Sequence, residues 1–213
     1  MRIAFVDGGT YYHHATFNDP ALRGYFDLNI YAPDLARAEA ELRQVDCLYV
    51  ASRQNPADLI AARETIARFL ADGKMVVALG ESRADLWLDG VQWRQGETNF
   101  WWWLQPGADS GLRVGDAGHG LFARLKLVDA TWHRHGDLAA PPGAVSVVDT
   151  VEGRSILYDD AASGPGRRIV ATLDPCYHHG SYFMPAATRF LHGFLPWLKD
   201  GAPAIARPGV QPG

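Results

Sequence analysis

Short apolar runs alternate with helical periodicity through the first half of the chain. Runs rich in β-branched and aromatic residues predict four strands, at 3–6, 28–31, 45–50 and 75–79. Apolar residues three or four positions apart predict helices at 35–43 and 55–73, and a short helix is expected at 20–25. Because successive βα units with short links pack side by side, this half predicts a parallel sheet that is covered on both faces.

The second half of the chain has a different pattern, in which polar and tryptophan-rich stretches separate shorter apolar runs. The segment from Trp87 to Gln105 is expected to form short strands or a lid. Later apolar runs predict partly antiparallel strands at 125–132, 144–150, 155–158 and 167–173. An amphipathic helix is expected from Pro185 to Leu198, with a kink at Pro196. Residues 1–202 are expected to form a single domain, and residues 203–213 a disordered tail.

Composition and charge exclude several classes of protein. The 213 residues are 47% hydrophobic and carry a formal net charge of −4, which predicts a soluble protein without affinity for nucleic acid or an anionic membrane. The sequence has no apolar run of about 18 residues, so no transmembrane helix is expected. Cys47 and Cys176 make no disulfide framework, and no signal peptide is expected because the sequence begins with a predicted strand. A cytoplasmic location is therefore expected.

A turn with candidate chemistry follows the buried strand at 75–79. In Gly80-Glu81-Ser82-Arg83-Ala84, small residues stand on either side of a serine, which is the layout of a nucleophile elbow. Such a turn is so tight that the middle side chain projects above the sheet. The pattern therefore predicts a site at Ser82.

Three further segments occur in the order and spacing of a known family. They are His119-Gly120-Leu121-Phe122, the strand Gly164–Leu173 and the helix end Phe194–Leu198. With the turn at Gly80–Ala84, they resemble the class I glutamine amidotransferase-like superfamily, and more specifically its ThuA-like (trehalose utilisation) branch. The resemblance implies a flavodoxin-like, three-layer α/β sandwich with a mainly parallel central sheet, a tryptophan-rich insertion and some antiparallel strands. It also implies a pocket at the carboxyl ends of the parallel strands.

Two departures from the family's pattern change the expected chemistry. Ser82 stands where the family has its elbow cysteine, and Asp174 stands where the family has its catalytic histidine. Because a serine hydroxyl needs a well-placed base, glutamine amidotransferase activity is not expected. A serine hydrolase is the alternative, with His178 or His179 as the base and Glu81 or Asp174 orienting it. In the simplest reading, Ser82 only caps the next helix.

Histidines follow several of the predicted strand ends. The pairs His13–His14 and His178–His179 follow the first and the last long strand. His133 and His135 lie two positions apart, which places them on one face if the segment is a strand. All are expected at the binding edge of the sheet, in a shared pocket without metal. A divalent ion such as zinc, held together with Asp174, is the alternative, although no HExxH spacing is present.

Two other segments are candidate ligand contacts. Asn99–Trp103 contains three consecutive tryptophans, and on a strand Trp102 would face away from its neighbours, so at least one indole is expected to be exposed. Flat indole rings suit sugars, but a core or homodimer contact is the favoured interpretation. The turn Gly8-Gly9-Thr10 lets a ligand approach the backbone, although turn geometry alone also explains it. It is no dinucleotide fingerprint, and no cofactor is expected.

Three hypotheses for function follow. The first is a ThuA-like protein without the Cys–His glutaminase pair, which binds or processes a small polar ligand, with a carbohydrate as one option. The second is a serine hydrolase, and the third is a non-catalytic, homodimeric scaffold or binding domain. The predicted catalytic residues are Ser82, His178, Glu81 and Asp174, and the predicted ligand contacts are Gly8, Gly9, Thr10, His13, His133, His135 and Trp102.

Overall fold

The computed structural model describes residues 1–96 and 102–203, without the side chain of Trp103. The expectations for residues 97–101 and 204–213, which include Trp101 of the three consecutive tryptophans and nearly all of the tail, lie outside these residues. The strands are β1 (Ile3–Asp7), β2 (Leu28–Tyr31), β3 (Cys47–Val50), β4 (Met75–Leu79), β5 (Gln92–Arg94), β6 (Leu112–Val114), β7 (Asp137–Ala139), β8 (Val145–Thr150), β9 (Ser155–Asp160) and β10 (Arg167–Ala171). The α-helices are α1 (Tyr11–Asn18), α2 (Glu39–Leu42), α3 (Pro56–Ala61), α4 (Arg63–Ala71), α5 (Ala84–Trp87), α6 (Pro175–Gly180) and α7 (Pro185–Lys199).

Within these residues the strands form one ten-stranded sheet. Its main order is β2-β1-β3-β4-β10-β9-β7-β5, and β8 pairs with both β9 and β6. The strands from β2 to β10 in this order are parallel, whereas the rest join through antiparallel pairs. The expected mixed α/β fold is therefore confirmed, while the flavodoxin-like, three-layer arrangement stays a prediction.

Alternate residues of the central strands face two separate apolar clusters. In β1, Ile3 and Phe5 belong to one cluster, whereas Ala4 and Val6 belong to the other. The apolar face of α7 completes the first cluster, and α3 and α4 contribute to the second. Because both faces of the central strands β3 and β4 are buried, these two strands are apolar throughout and do not alternate with polar residues.

Helix α7 is the longest of the described helices, with 15 residues. It confirms the predicted closing helix, and Pro196 lies inside its last turn without ending it. Neither α7 nor any other helix of the described residues combines the length and apolar character that crossing a membrane requires.

Three of the predicted elements differ from the structure. The segment 125–132 is not a strand but holds a 3-10 helix at Leu127–Ala130. The Asp129 carboxylate accepts the Lys126 backbone N–H at 3.0 Å there, which favours a turn over a strand ladder. The helix predicted at 35–43 divides at Ala38, whose ψ of 33° leaves the helical region, into a 3-10 helix at Ala32–Arg37 and α2. The short helix predicted at 20–25 is a 3-10 helix, Arg23–Tyr25.

Gly80, at the end of β4, lies where the segments after β3 and β10 approach each other. A Cβ at this position would lie 2.7 Å from the Ser52 Cβ and 2.8 Å from the Asp174 Cβ. The backbone of Gly80 also has a φ of +57°, which residues other than glycine rarely adopt. A residue without a side chain is therefore required here.

We expect Gly80→Ala to lower the free energy of unfolding by about 2 to 5 kcal/mol, since overpacking and a left-handed backbone each cost roughly 1 to 3 kcal/mol. Urea denaturation followed by circular dichroism measures the change. The matched control is Gly24→Ala, because a Cβ on Gly24 would meet nothing within 4 Å. Equal stability of the two variants would contradict the close approach at Gly80.

Candidate functional site

A polar cluster lies at the carboxyl ends of the parallel strands. Arg53 follows β3, Glu81 follows β4 and Asp174 follows β10. His133 and His135 reach the same edge from the segment before β7, because β7 pairs with Ser155 at the start of β9, where β10 ends. This is the edge at which open α/β sheets usually bind their ligands.

Asp174 is the centre of this cluster. Asp174 is buried and is the N-cap residue of α6, although its carboxylate makes no capping hydrogen bond. The Trp132 indole N–H donates to Oδ1 at 3.1 Å, and His178 Nε2 also lies 3.1 Å from Oδ1. Arg53 Nε donates to Oδ2 at 2.9 Å, and His135 Nε2 lies 3.3 Å from Oδ2. Each carboxylate oxygen therefore has two nitrogen partners.

Glu81 is a second carboxylate, at the border between the cluster and solvent. Its side chain is 38% exposed, and Oε1 lies 2.9 Å from His135 Nδ1. Its other oxygen, Oε2, lies 2.9 Å from Arg53 Nη2. The Arg53 guanidinium also lies over the Tyr177 ring, 3.7 Å from the ring centre, so it is held on three sides.

The imidazoles of His133 and His178 contact each other directly. Their Nε2 atoms are 3.0 Å apart, so at most one of the two nitrogens carries a proton when this hydrogen bond forms. Burial lowers the pKa of His133 to about 4, which keeps its ring neutral near pH 7. His133 and His135 also meet, with ring centres 5.0 Å apart. The two rings come together in a loop, so the condition under which they would share one face of a strand is not met.

The remaining groups of the cluster are charged. Burial opposes the charge on His135, but hydrogen bonds to Asp174 and Glu81 outweigh it and raise the pKa of His135 to about 9. Burial would raise the pKa of Asp174, yet its bonds to His135 and His178 hold it well below its ordinary value. The bond from His135 lowers the pKa of Glu81. Near pH 7 two carboxylates therefore face one guanidinium and one imidazolium.

Three side chains of the cluster have the arrangement of metal ligands. His133, His135 and Asp174 are buried, and each offers one donor atom within 4.8 Å of the other two. The distance of 3.3 Å between His135 Nε2 and Asp174 Oδ2 is close to the edge of a tetrahedron with zinc bonds of about 2.0 to 2.1 Å. Imidazole nitrogens with a carboxylate suit zinc and similar ions, so these residues fit a divalent transition metal.

Ser82 lies in the predicted turn but without the partners of a nucleophile. Its side chain is buried, and its hydroxyl has no hydrogen-bond partner among the described residues. His178, the predicted base, bonds Asp174 and His133 instead. The helix-capping alternative is wrong as well, because Arg83, with a φ of +51°, occupies the N-cap position of α5. Among residues 1–96 and 102–203, no base therefore forms a hydrogen bond with the Ser82 hydroxyl.

The turn after β1 is held by His13. The His13 Nδ1 atom accepts the Gly8 backbone N–H at 3.0 Å, and Nε2 lies 2.7 Å from the Ser52 carbonyl oxygen, to which it donates. Both ring nitrogens therefore bond the backbone, and His13 joins the loops after β1 and β3. Gly8 has no room for a side chain, Gly9 has a φ of +76°, and Thr10 precedes α1 without a capping hydrogen bond. In this structure these predicted ligand contacts shape the edge of the sheet.

Trp102 lies beside the cluster and not on a strand. It begins a 3-10 helix, Trp102–Leu104, and lines a cavity of about 120 Å³ together with Trp132 and His133. This cavity is smaller than the roughly 300 Å³ of ordinary ligand pockets. A larger cavity of about 390 Å³ includes Lys74, which precedes β4, so it lies toward the opposite end of that strand. The homodimer contact proposed for the tryptophans stays a prediction.

Several residues near the site have roles that sequence reasoning missed or left open. Arg53 and Trp132 were not predicted, although Arg53 directly follows a strand at the expected edge. His179 turns away from the cluster and bonds Thr188 and Asp19. Burial raises the pKa of the Cys176 thiol to about 11, so a thiolate is disfavoured there.

Comparisons with known proteins leave the family open. No protein-family model matches the chain, and no curated protein matches it. Among solved structures, the chain is similar to the exo-beta-1,4-mannosidase Op5Man5 from Opitutaceae bacterium strain TAV5, with 11% identity and a TM-score of 0.42. The match covers 92% of this chain and 35% of the mannosidase, so the chain spans about a third of that enzyme's length. A similarity this low identifies neither a family nor an activity, and function is argued from the site.

The charged His135 predicts a dependence of stability on pH. Its pKa rises from 6.5 to about 9 on folding, so the stabilisation is complete below pH 6.5 and is lost as the pH rises through 9. With a chelator present, we expect the free energy of unfolding to fall by roughly 3 kcal/mol at most between those limits. Chemical denaturation at a series of pH values measures it. His135→Gln should remove this slope, whereas the exposed His14→Gln should keep it, and the same slope in all three proteins would contradict the ion pair.

Proposed function

We propose that this protein binds a divalent transition-metal ion through His133, His135 and Asp174, and that the centre holds a small polar ligand. The observation that carries the proposal is the convergence of these three buried donors within 4.8 Å. Two imidazoles and a carboxylate this close together supply the nitrogen and oxygen donors that a divalent transition metal prefers. Their position at the carboxyl ends of the strands supports a binding role.

The donor set favours zinc or a neighbouring ion over magnesium or calcium, which prefer oxygen ligands. Three protein ligands leave one position of a tetrahedral site open. When bound, the ion supplies a Lewis acid that polarises an oxygen of the ligand. Glu81 is partly exposed and ionised next to His135, so it is suited to accept a hydrogen bond from a ligand hydroxyl.

The ligand that we propose is a small molecule with several hydroxyl groups, as the resemblance to ThuA-like proteins implies. Aromatic side chains next to the cluster support this choice. Trp102 and Trp132 line the adjacent cavity, and Phe183, half exposed, lies 4.7 Å from the His178 ring between ring centres. Flat aromatic faces beside a carboxylate and a guanidinium suit a sugar. Membership of the ThuA-like branch, its flavodoxin-like three-layer fold and the absence of glutaminase activity belong to this proposal.

The metal proposal predicts one ion per chain. Protein stripped of metal with a chelator and titrated with zinc in a calorimeter should bind it with 1:1 stoichiometry and melt at a higher temperature. His135→Ala and Asp174→Asn should weaken binding by more than about 100-fold, because each removes a ligand.

His14→Ala is the matched control, since His14 is exposed and bonds Asn18 outside the cluster. It should bind zinc as the unchanged protein does. Circular dichroism checks that the variants fold. Absence of zinc binding in the unchanged protein, or binding that survives both ligand substitutions, would overturn the proposal.

The ligand proposal predicts a response to sugars in the zinc-loaded protein. A panel of mono- and disaccharides, followed by tryptophan fluorescence, should include at least one that changes the emission at millimolar concentration. Trp102→Ala should reduce the response, because Trp102 lines the cavity next to His133. A flat titration across the panel would contradict a carbohydrate ligand but leave the metal site in place.

A further inference from the structure

We infer that Glu81, held by Arg53, is a positioning residue that orients His135 toward the metal ion. The inference rests on the proposed metal site and assigns a task to two residues outside the three ligands. It follows from the contacts that the two ring nitrogens of His135 make on opposite sides of the imidazole. His135 Nδ1 lies 2.9 Å from Glu81 Oε1, while Nε2 on the other side lies 3.3 Å from Asp174 Oδ2.

The hydrogen bond to Glu81 decides which ring nitrogen faces the ion. An imidazole that donates Nδ1–H to a carboxylate can bind a metal ion through Nε2, once Nε2 has lost its proton. In His135 this atom points to Asp174, the other buried ligand. Carboxylates that hold a metal-bound histidine in this way fix its tautomer and ring orientation and strengthen metal binding about 10- to 100-fold.

Glu81 in turn is fixed by a guanidinium that spans both carboxylates of the cluster. Arg53 Nη2 lies 2.9 Å from Glu81 Oε2, and Arg53 Nε donates to Asp174 Oδ2 at 2.9 Å. The stacking of Arg53 on Tyr177, at 3.7 Å, limits its movement. The rigid fork of arginine therefore sets the spacing between Glu81 and Asp174, which a lysine in the same place cannot reproduce.

The competing interpretation is that Glu81 acts only through its negative charge. A general charge effect does not depend on the acceptor geometry, and it would be shared by other carboxylates of the surface. Asp89 provides the comparison, because it is exposed and pairs with Arg63 away from the cluster.

The experiment measures zinc affinity by competition with a chromophoric chelator, and the visible spectrum of the cobalt(II)-loaded protein. Glu81→Ala should bind zinc about 10- to 100-fold more weakly, with 1:1 stoichiometry retained and an altered cobalt spectrum. Glu81→Gln keeps an acceptor for Nδ1–H, so its affinity should lie between that of Glu81→Ala and that of the unchanged protein. Arg53→Lys should also weaken binding, whereas Asp89→Asn should leave affinity and spectrum unchanged.

The outcomes separate this inference from the proposal beneath it. If the unchanged protein does not bind zinc, the metal site fails and the inference fails with it. If it binds zinc and Glu81→Ala stays within twofold of it with the same cobalt spectrum, only the positioning role is overturned. An equal loss in Asp89→Asn would assign the effect to charge alone, and a loss of 1:1 stoichiometry in Glu81→Ala would make Glu81 a ligand. Melting temperatures of all variants identify any that fail to fold.

Discussion

One buried carboxylate organises the functional edge of this fold. Asp174 is enclosed by protein, and its two oxygens are satisfied by an indole, a guanidinium and two imidazoles. An ionised carboxylate in such a place costs several kcal/mol unless it is paired and hydrogen-bonded. The segments that carry its partners must therefore meet at this edge. The loop after β3, the segment before β7 and the first turns of α6 are held together by this requirement.

The pairing extends from Asp174 to the surface. Arg53 and His135 each bridge Asp174 and Glu81, and the hydrogen bond between His133 and His178 adds two further rings to the network. The proposed metal ligands are thus already held in place, which would reduce the cost of organising them on binding. The antiparallel half of the sheet contributes to the same edge, because it carries the segment with His133 and His135 back to the carboxyl ends of the parallel strands.

Periodicity in the sequence was sufficient to predict the parallel half of the sheet and the edge at which the polar residues lie. Glu81, His133, His135, Asp174 and His178 do meet there, because strand ends are visible in the sequence. The role of Ser82 could not be predicted, since the layout of a turn does not determine whether its middle side chain faces solvent or is buried. The ion pair between Arg53 and Asp174 could not be predicted either, because it joins positions that are 121 residues apart in the sequence. The strand prediction for segment 125–132 was wrong because the hydrogen bond to the Asp129 carboxylate favours a turn despite the segment's apolar composition.

The requirement for glycine at position 80 is a feature that can be recognised in other sequences. Any side chain there would push apart the segments that bring Arg53 and Asp174 together, so a divergent relative with the same centre must keep a glycine at the end of the corresponding strand. Overall identity can fall below recognition while this spatial constraint persists. Four features would identify such a relative. They are a glycine after a buried strand, an arginine after the preceding strand, an aspartate after the last parallel strand, and a His-x-His segment before that last strand.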